Sequence, residues 1–242
     1  MVYKSMAYTK QENQAVYILH TYPFKETSLI VELFTQPLGR VSVVAKGARR
    51  PRSSLRGMLQ SFQGLQATWS GNQELKTLHS LEWSNALISL EGDALVCGFY
   101  MNELLLRLLP REDPHEKLFD FYDRAIKKLA EGNALAVVLR QFELNLLQEL
   151  GYQVPLDRDI NGESIDLNCN YFYAVGYGAS KIKKNSDAIN VSGKTLIDMA
   201  KNYYDDATTE KQSKQLMRYL IAFYLGDKPL NSKKLFTELE TD

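Results

Sequence analysis

The chain has 242 residues, of which 45% are apolar and 24% charged, enough for one large folded domain or two ordinary ones and too apolar for a disordered tail. Lys and Arg number 29, as do Asp and Glu, so no whole-molecule field attracts nucleic acid, membrane or acidic substrate, and any such attraction has to be local. Two cysteines, Cys97 and Cys169, exclude a disulfide framework or a four-thiolate zinc site, and the absence of a signal-like start or of an apolar run near about 18 residues predicts a cytoplasmic protein without a membrane span.

From Ala15 to Glu82 the periodicity is that of strands: AVYILH, TSLIVELFT, GRVSVVAKG, FQGLQATWS and QELKTLHSLE. Tyr22-Pro23, Gln36-Pro37-Leu38-Gly39 and Ser70-Gly71-Asn72 between them have turn chemistry. The longest link joins the third and fourth runs, and RSSLRGMLQ within it reads as a short helix opened by a serine cap. Five strands with that link between the third and fourth predict a five-stranded OB-type β-barrel over residues 1–82, a fold whose loops commonly hold single-stranded nucleic acid. The pattern alone also admits an SH3-like barrel.

The charge is not spread evenly. Residues 1–82 carry 10 basic and 5 acidic side chains and the remainder 19 and 24, so a neutral total conceals a basic N-terminal part. Between Glu32 and Glu74 lie 41 residues without Asp or Glu, holding Arg40, Lys46, Arg49, Arg50, Arg52 and Arg56. Solvated loops usually mix signs; six uncompensated cations suit a polyanion that carboxylates would repel. Most barrel aromatics are expected in the core, which leaves turn-adjacent Tyr22 and Phe24 as platforms on which bases could stack.

After Glu82 the period becomes helical, and residues 83–242 are expected to form an all-α domain, α+β for the chain as a whole. ALVCGFYMNELLLRLL is apolar around most of its circumference, as in a helix buried among others. DPHEKLFDFYDRAIKKLAEG offers Asp113 as cap, Pro114 at the first position, Glu116 at the capping-box spacing and Gly132 as a stop. ALAVVLRQFELNLLQELG gives a third helix ending at Gly151. Residues 152–191 break the pattern with a hairpin-like insertion around Gly176, and helicity resumes in GKTLIDMAKNYY, TTEKQSKQLMRYLIAFYLG and NSKKLFTELE.

No catalytic constellation emerges, and a non-enzymatic protein is expected. Ser192-Gly193-Lys194-Thr195 contains the end of a phosphate-binding loop, but the motif's first glycine would fall at Ala188, and a Ser192 helix cap explains the residues. His20, His79 and His115 fall in a strand, a strand and a helix start without metal-ligand spacing. Asp157, Asp159, Asp205 and Asp206 read as turn residues. An OB-type RNA-binding module with a helical protein-interaction domain stays open, as does, more remotely, a small hydrolase.

The string VAKGARRPRSSLRGMLQSF, preceded by ETSLIVELFTQPLGRV and followed by ELKTLHSLE, resembles the N-terminal OB domain of the RecO family of bacterial recombination mediators. GFYMNELLLRLL, LRQFELNLLQELGY and KPLNSKKLF are similar to three further stretches of the family in the same order, so the resemblance spans nearly the whole chain. It implies a DNA repair protein, nucleoid-associated, that binds single- and double-stranded DNA, anneals complementary strands and assists loading of the recombinase RecA. The partners it implies are RecR and the C-terminal tail of the single-stranded-DNA-binding protein, with Arg140, beside Leu139 and Phe142, at the tail-binding motif. Some members carry four cysteines as a zinc module after the third helix; here residues 152–191 hold only Cys169, so zinc is not implied.

Overall fold

The computed structural model describes residues 10–84, 86–152, 154–226 and 230–232. Its first five strands are β1 (Lys10–Phe24), β2 (Ser28–Thr35), β3 (Gly39–Ala45), β4 (Leu65–Ser70) and β5 (Leu75–Trp83), closed into a barrel in the order β1-β2-β3-β5-β4. β1 pairs antiparallel with both β2 and β4, and β3 runs parallel to β5. This is the OB arrangement, in place of the SH3-like one, and closure leaves the sheet without free edges.

Period-2 alternation sends Val16, Ile18, Val31, Leu33, Val41, Val43, Leu65, Ala67 and Trp69 into one buried cluster, the Val, Ile and Leu side chains each contributing about 1.5–3 kcal/mol of transfer free energy. In β1 the run Val16 to Leu19 is buried throughout, because its outer face is covered as well. Tyr17 and Phe34 pack against Phe119 and Tyr122 of a helix, with Tyr17 and Tyr122 ring centroids 5.0 Å apart and Phe34 and Phe119 5.3 Å apart. That helix, α2 (Glu116–Ala130), follows α1 (Gly92–Leu108). Asn102 of α1 donates to Leu19 O at 2.9 Å and accepts from the Tyr122 hydroxyl at 2.6 Å, while the Tyr17 hydroxyl donates to Asp123 at 2.6 Å. Barrel, α1 and α2 form one unit, reaching Glu131, and the described residues from Gly132 onward form a second. The change from strand to helical period at Glu82 lies inside the first unit.

Three local expectations are corrected. The turn read at Tyr22-Pro23 comes later, at residues 25–27: Pro23 lies within β1 opposite Leu29, and Lys25 takes the left-handed conformation with φ 52°. The short helix read in RSSLRGMLQ is a chain of turns, Ser53 N donating to Arg50 O, Arg56 N to Ser53 O and Met58 N to Leu55 O. Gly57 weakens helix there by about 1 kcal/mol, and Leu55, Met58 and Leu59 gain more by packing on the barrel core. Asp113 does not cap α2, whose first flanking residue is His115 with no side-chain cap bond. The backbone at 111–113 is held elsewhere, since Glu112 N donates to Arg40 O at 2.9 Å and Gly39 lies against Asp113 O.

The second unit contains α3 (Leu135–Glu149), a three-stranded sheet in the order β7-β6-β8, then α4 (Gly193–Ala200) and α5 (Ala207–Leu225). The strands are β6 (Asn170–Ala174), β7 (Gly178–Ser180) and β8 (Ile189–Ser192). The expected insertion is thus a β6-β7 hairpin turning at Gly176 and extended by β8. Beyond Ser232, the helix predicted for NSKKLFTELE lies outside the described residues. No helix among the described residues is long and apolar enough to cross a membrane.

Candidate nucleic-acid interface

The basic segment leaves β3 through a turn at Gly47, where φ is +69° and Arg50 N donates to Gly47 O at 3.0 Å. Arg49 ties the loop to the β1-β2 turn, its backbone N donating to Thr27 O at 2.8 Å and its guanidinium to Lys25 O at 3.4 Å. Buried Ala48 and the apolar side chains of Leu55, Met58 and Leu59 peg the loop onto the end of the barrel. Lys46, Arg49, Arg50, Arg52 and Arg56 are left exposed on a fixed base. Among the described residues none of these five makes an ion pair, whereas Glu32, Glu74 and Glu112 all do.

Arg40 belongs to a different setting, at the opposite end of β3. Its Nε donates to Leu109 O at 3.1 Å and its guanidinium stands 3.7 Å from buried Glu32. Burial, opposed by Glu32 and aided by the like charge of Arg111, lowers the Arg40 pKa. Glu32 also accepts from Ser42 at 2.7 Å and pairs with Arg111 at 3.1 Å, Arg111 reaches Glu74, and Lys76 pairs with Glu112. One end of the barrel is therefore charge-balanced and the other is cationic. The two glutamates that bracket the acid-free stretch in sequence share Arg111 in space.

Beside the basic loop runs a cleft of about 570 Å³, with Lys46, Arg50, Arg52 and Ser53 on one wall and His79 and Ser80 of β5 on the other. A second cleft of about 630 Å³ shares His79 and Ser80 and reaches Thr68 and Ser70 of β4 and Asn13 and Lys10 of β1. Tyr22 is 44% exposed and meets the His20 ring edge-on at 4.4 Å, and Phe24 is half-buried beneath Lys25, 5.3 Å from its ring centre. Sequence reasoning did not single out Lys25 or Ser80, and it weighed His79 only as a metal ligand and set it aside. His79 becomes a groove residue only through the pairing of β5 with β4 and the path of the loop.

In the second unit, Arg140 on α3 is 7% exposed and its Nη2 pairs at 2.6 Å with Glu143, which is 1% exposed. Its Nη1 lies 3.4 Å from Lys214 O on α5. Leu139 and Phe142 are buried. Nearby Tyr204 has its pKa pushed up to about 12, by burial first, with Glu143 adding to the rise and Arg140 opposing it. Its buried hydroxyl finds no hydrogen-bond partner among the described residues.

The remaining candidates have structural roles. Ser192 caps α4, its hydroxyl accepting from Thr195 N at 3.1 Å, and a Cβ on Gly193 would stand 1.9 Å from Asp166 O, which accounts for the glycine without a phosphate. Asp206 caps α5 by accepting from Thr209 N at 3.0 Å, and Asp159 accepts from Asn161 N and Glu163 N in a turn. The Cys169 thiol donates to Asp166 at 3.4 Å, a bond that raises its pKa. Among the described residues no three of His, Cys, Asp and Glu stand where they could hold a metal ion.

Two family models match the chain, Recombination protein O N terminal over residues 6–87 and Recombination protein O C terminal over residues 89–234. The chain is 48% identical over 234 residues to a protein of Nitrosospira multiformis, covering 96% of this chain and 97% of that one. It is 45% identical over 236 residues to one of Dechloromonas aromatica, at 96% and 98% coverage, and 46% identical over 233 residues to one of Azoarcus sp., at 94% and 96%. All three carry the name DNA repair protein RecO. Matched along both parts by family models and by relatives of equal length, the chain belongs to the recombination protein O family.

Proposed function

We propose that this chain is a non-enzymatic DNA repair protein that binds single- and double-stranded DNA through the loop bearing Lys46, Arg49, Arg50, Arg52 and Arg56, and anneals complementary strands. The observation that carries the reading is the pegged loop with five exposed cations, none in an ion pair among the described residues. Surface arginines with a carboxylate nearby would lose part of their attraction for phosphate; these keep it. Neutralising phosphates on two strands lowers their mutual repulsion, and gripping phosphates without reading base edges leaves the bases free to pair, which is what annealing needs. Arg40, held by Glu32 and Leu109 O, steadies the balanced end of the barrel and is left out of the phosphate-binding set.

In this reading the second unit is the protein-interaction part. It takes the acidic C-terminal tail of the single-stranded-DNA-binding protein at Arg140, Leu139 and Phe142, and the chain works with RecR to help load RecA, in the cytoplasm at the nucleoid. A guanidinium suits a terminal carboxylate through two parallel hydrogen bonds. Because Arg140 is already paired with Glu143, an incoming carboxylate has to share or displace that partner. The test is annealing of complementary strands coated with the single-stranded-DNA-binding protein. Faster pairing with this protein, without nucleotide turnover, supports the reading. Binding of RNA in preference to DNA, with no annealing, would replace it by an RNA-binding role.

A further inference from the structure

The basic loop ends at a groove, and the groove is of a different chemistry from the loop. The two clefts of about 570 Å³ and 630 Å³ share His79 and Ser80, so they adjoin at β5, and their linings lead from Arg50 and Arg52 across β5 and β4 to β1. Past the loop, the lining turns neutral. His79 Nε2 and Ser70 Oγ share a hydrogen bond, Thr68 Oγ1 accepts from Asn13 N at 3.2 Å, and Lys10 is matched by Glu12 at 2.5 Å. Neither cleft is lined by Phe, Tyr or Trp among the described residues.

We infer that this groove carries a single DNA strand onward from the basic loop, gripping its sugar-phosphate backbone through hydrogen bonds from His79 and Ser80 while its bases face outward. The inference rests on the DNA-binding role proposed for the loop and adds the strand's route. Hydroxyl and amide side chains, like cations, hydrogen-bond to phosphate and sugar, and with Nε2 held to Ser70 the His79 imidazole has Nδ1 left for the strand. With no Phe, Tyr or Trp among the described lining residues, and the His79 imidazole held to Ser70 by its hydrogen bond, the groove lacks the aromatic platform of surfaces that hold single strands by base stacking. The Lys10–Glu12 pair makes the far end neutral, so a strand lying there releases few counterions. The loop then supplies the salt-dependent part of the affinity and the groove a salt-insensitive part that grows with strand length.

The test uses the full chain and fluorescence-labelled oligothymidylates of increasing length, at several salt concentrations, with a blunt duplex of equal length as a second ligand. His79→Ala with Ser80→Ala is expected to weaken binding of the longer single strands about five- to tenfold, since two hydrogen bonds are removed. The slope against salt should stay unchanged, and the shortest strands and the duplex should bind nearly as the unaltered protein does. His79→Gln, which keeps a donor and an acceptor, should retain most of the affinity, and Glu12→Gln should steepen the salt dependence by exposing Lys10. Normal binding of every length by the His79 and Ser80 variant, while neutralising the loop arginines still abolishes binding, would overturn the groove route and leave the loop's role standing. Indifference of both variants would overturn the proposed DNA site itself.

Discussion

Gly39 lies so close to Asp113 that a Cβ on the glycine would stand 1.9 Å from the Asp113 carbonyl oxygen. The contact joins the β2-β3 turn to the entry of α2, and the neighbouring hydrogen bond from Glu112 N to Arg40 O extends it. Gly39 also has φ +66°, so two independent requirements fall on one position. Gly39→Ala is expected to cost about 2–3 kcal/mol, through strain and the forced separation of 111–113 from the barrel. Urea unfolding measures it. Loss of less than about 0.5 kcal/mol would mean that this contact does not anchor α2.

Arg140 and Glu143 form a buried pair, so removing one partner strands the other. Arg140→Ala is expected to cost about 3–5 kcal/mol, while Arg140→Met with Glu143→Leu, which removes both charges at similar volume, should be near neutral in stability. The double variant is therefore the proper probe of the proposed tail site. Titration with a labelled acidic tail peptide should show a loss of about 2 kcal/mol or more in the folded double variant. Unchanged peptide binding would move the tail site off Arg140.

Alkaline stability follows from the buried tyrosines. Burial raises the pKa of Tyr17, Tyr122, Tyr173 and Tyr204, in Tyr204 to about 12 against an ordinary value of 10.0. A raised folded-state pKa means that the native form holds its proton more tightly than the unfolded chain. That contribution is complete below pH 10 and is lost as pH rises from there through the folded value. Urea midpoints should hold steady from about pH 8 to pH 9.5 and fall above about pH 10. Tyr204→Phe, which deletes a buried hydroxyl without a partner, should cost nothing near pH 8 and make the alkaline fall shallower. An identical pH profile in that variant would show Tyr204 to be solvated.

What the sequence disclosed and what it hid divide along physical lines. Strands and helices were legible because alternation and the 3.6-residue period are local, and five strands with a long third connection pointed to a small barrel, while the parallel β3-β5 pairing that separates the OB order from an SH3-like one was not legible. The loop's cations were legible as a run without carboxylates. Its conformation was not, because Leu55, Met58 and Leu59 are spaced as on a helix but answer to the barrel core instead. Arg40 sits in the same acid-free run, yet Glu32 and Arg111, distant or across a strand, decide its role. Asp113 had every local sign of a helix cap, and a tertiary contact with Gly39 claimed its backbone. His79 joined a groove only once β4 and β5 were paired.

The most direct measurement of the central claim is the salt dependence of DNA binding after neutralising Arg49, Arg50 and Arg52 together, with Arg40→Gln as the contrasting variant. Each phosphate contact contributes about 0.7–0.9 to the log-log slope, so the triple variant should be flatter by about 2–3 and weaker on every sequence, while Arg40→Gln keeps the slope and loses stability. A folded triple variant with the original affinity and slope, or an Arg40 variant that alone flattens it, would contradict the assignment of DNA binding to this loop.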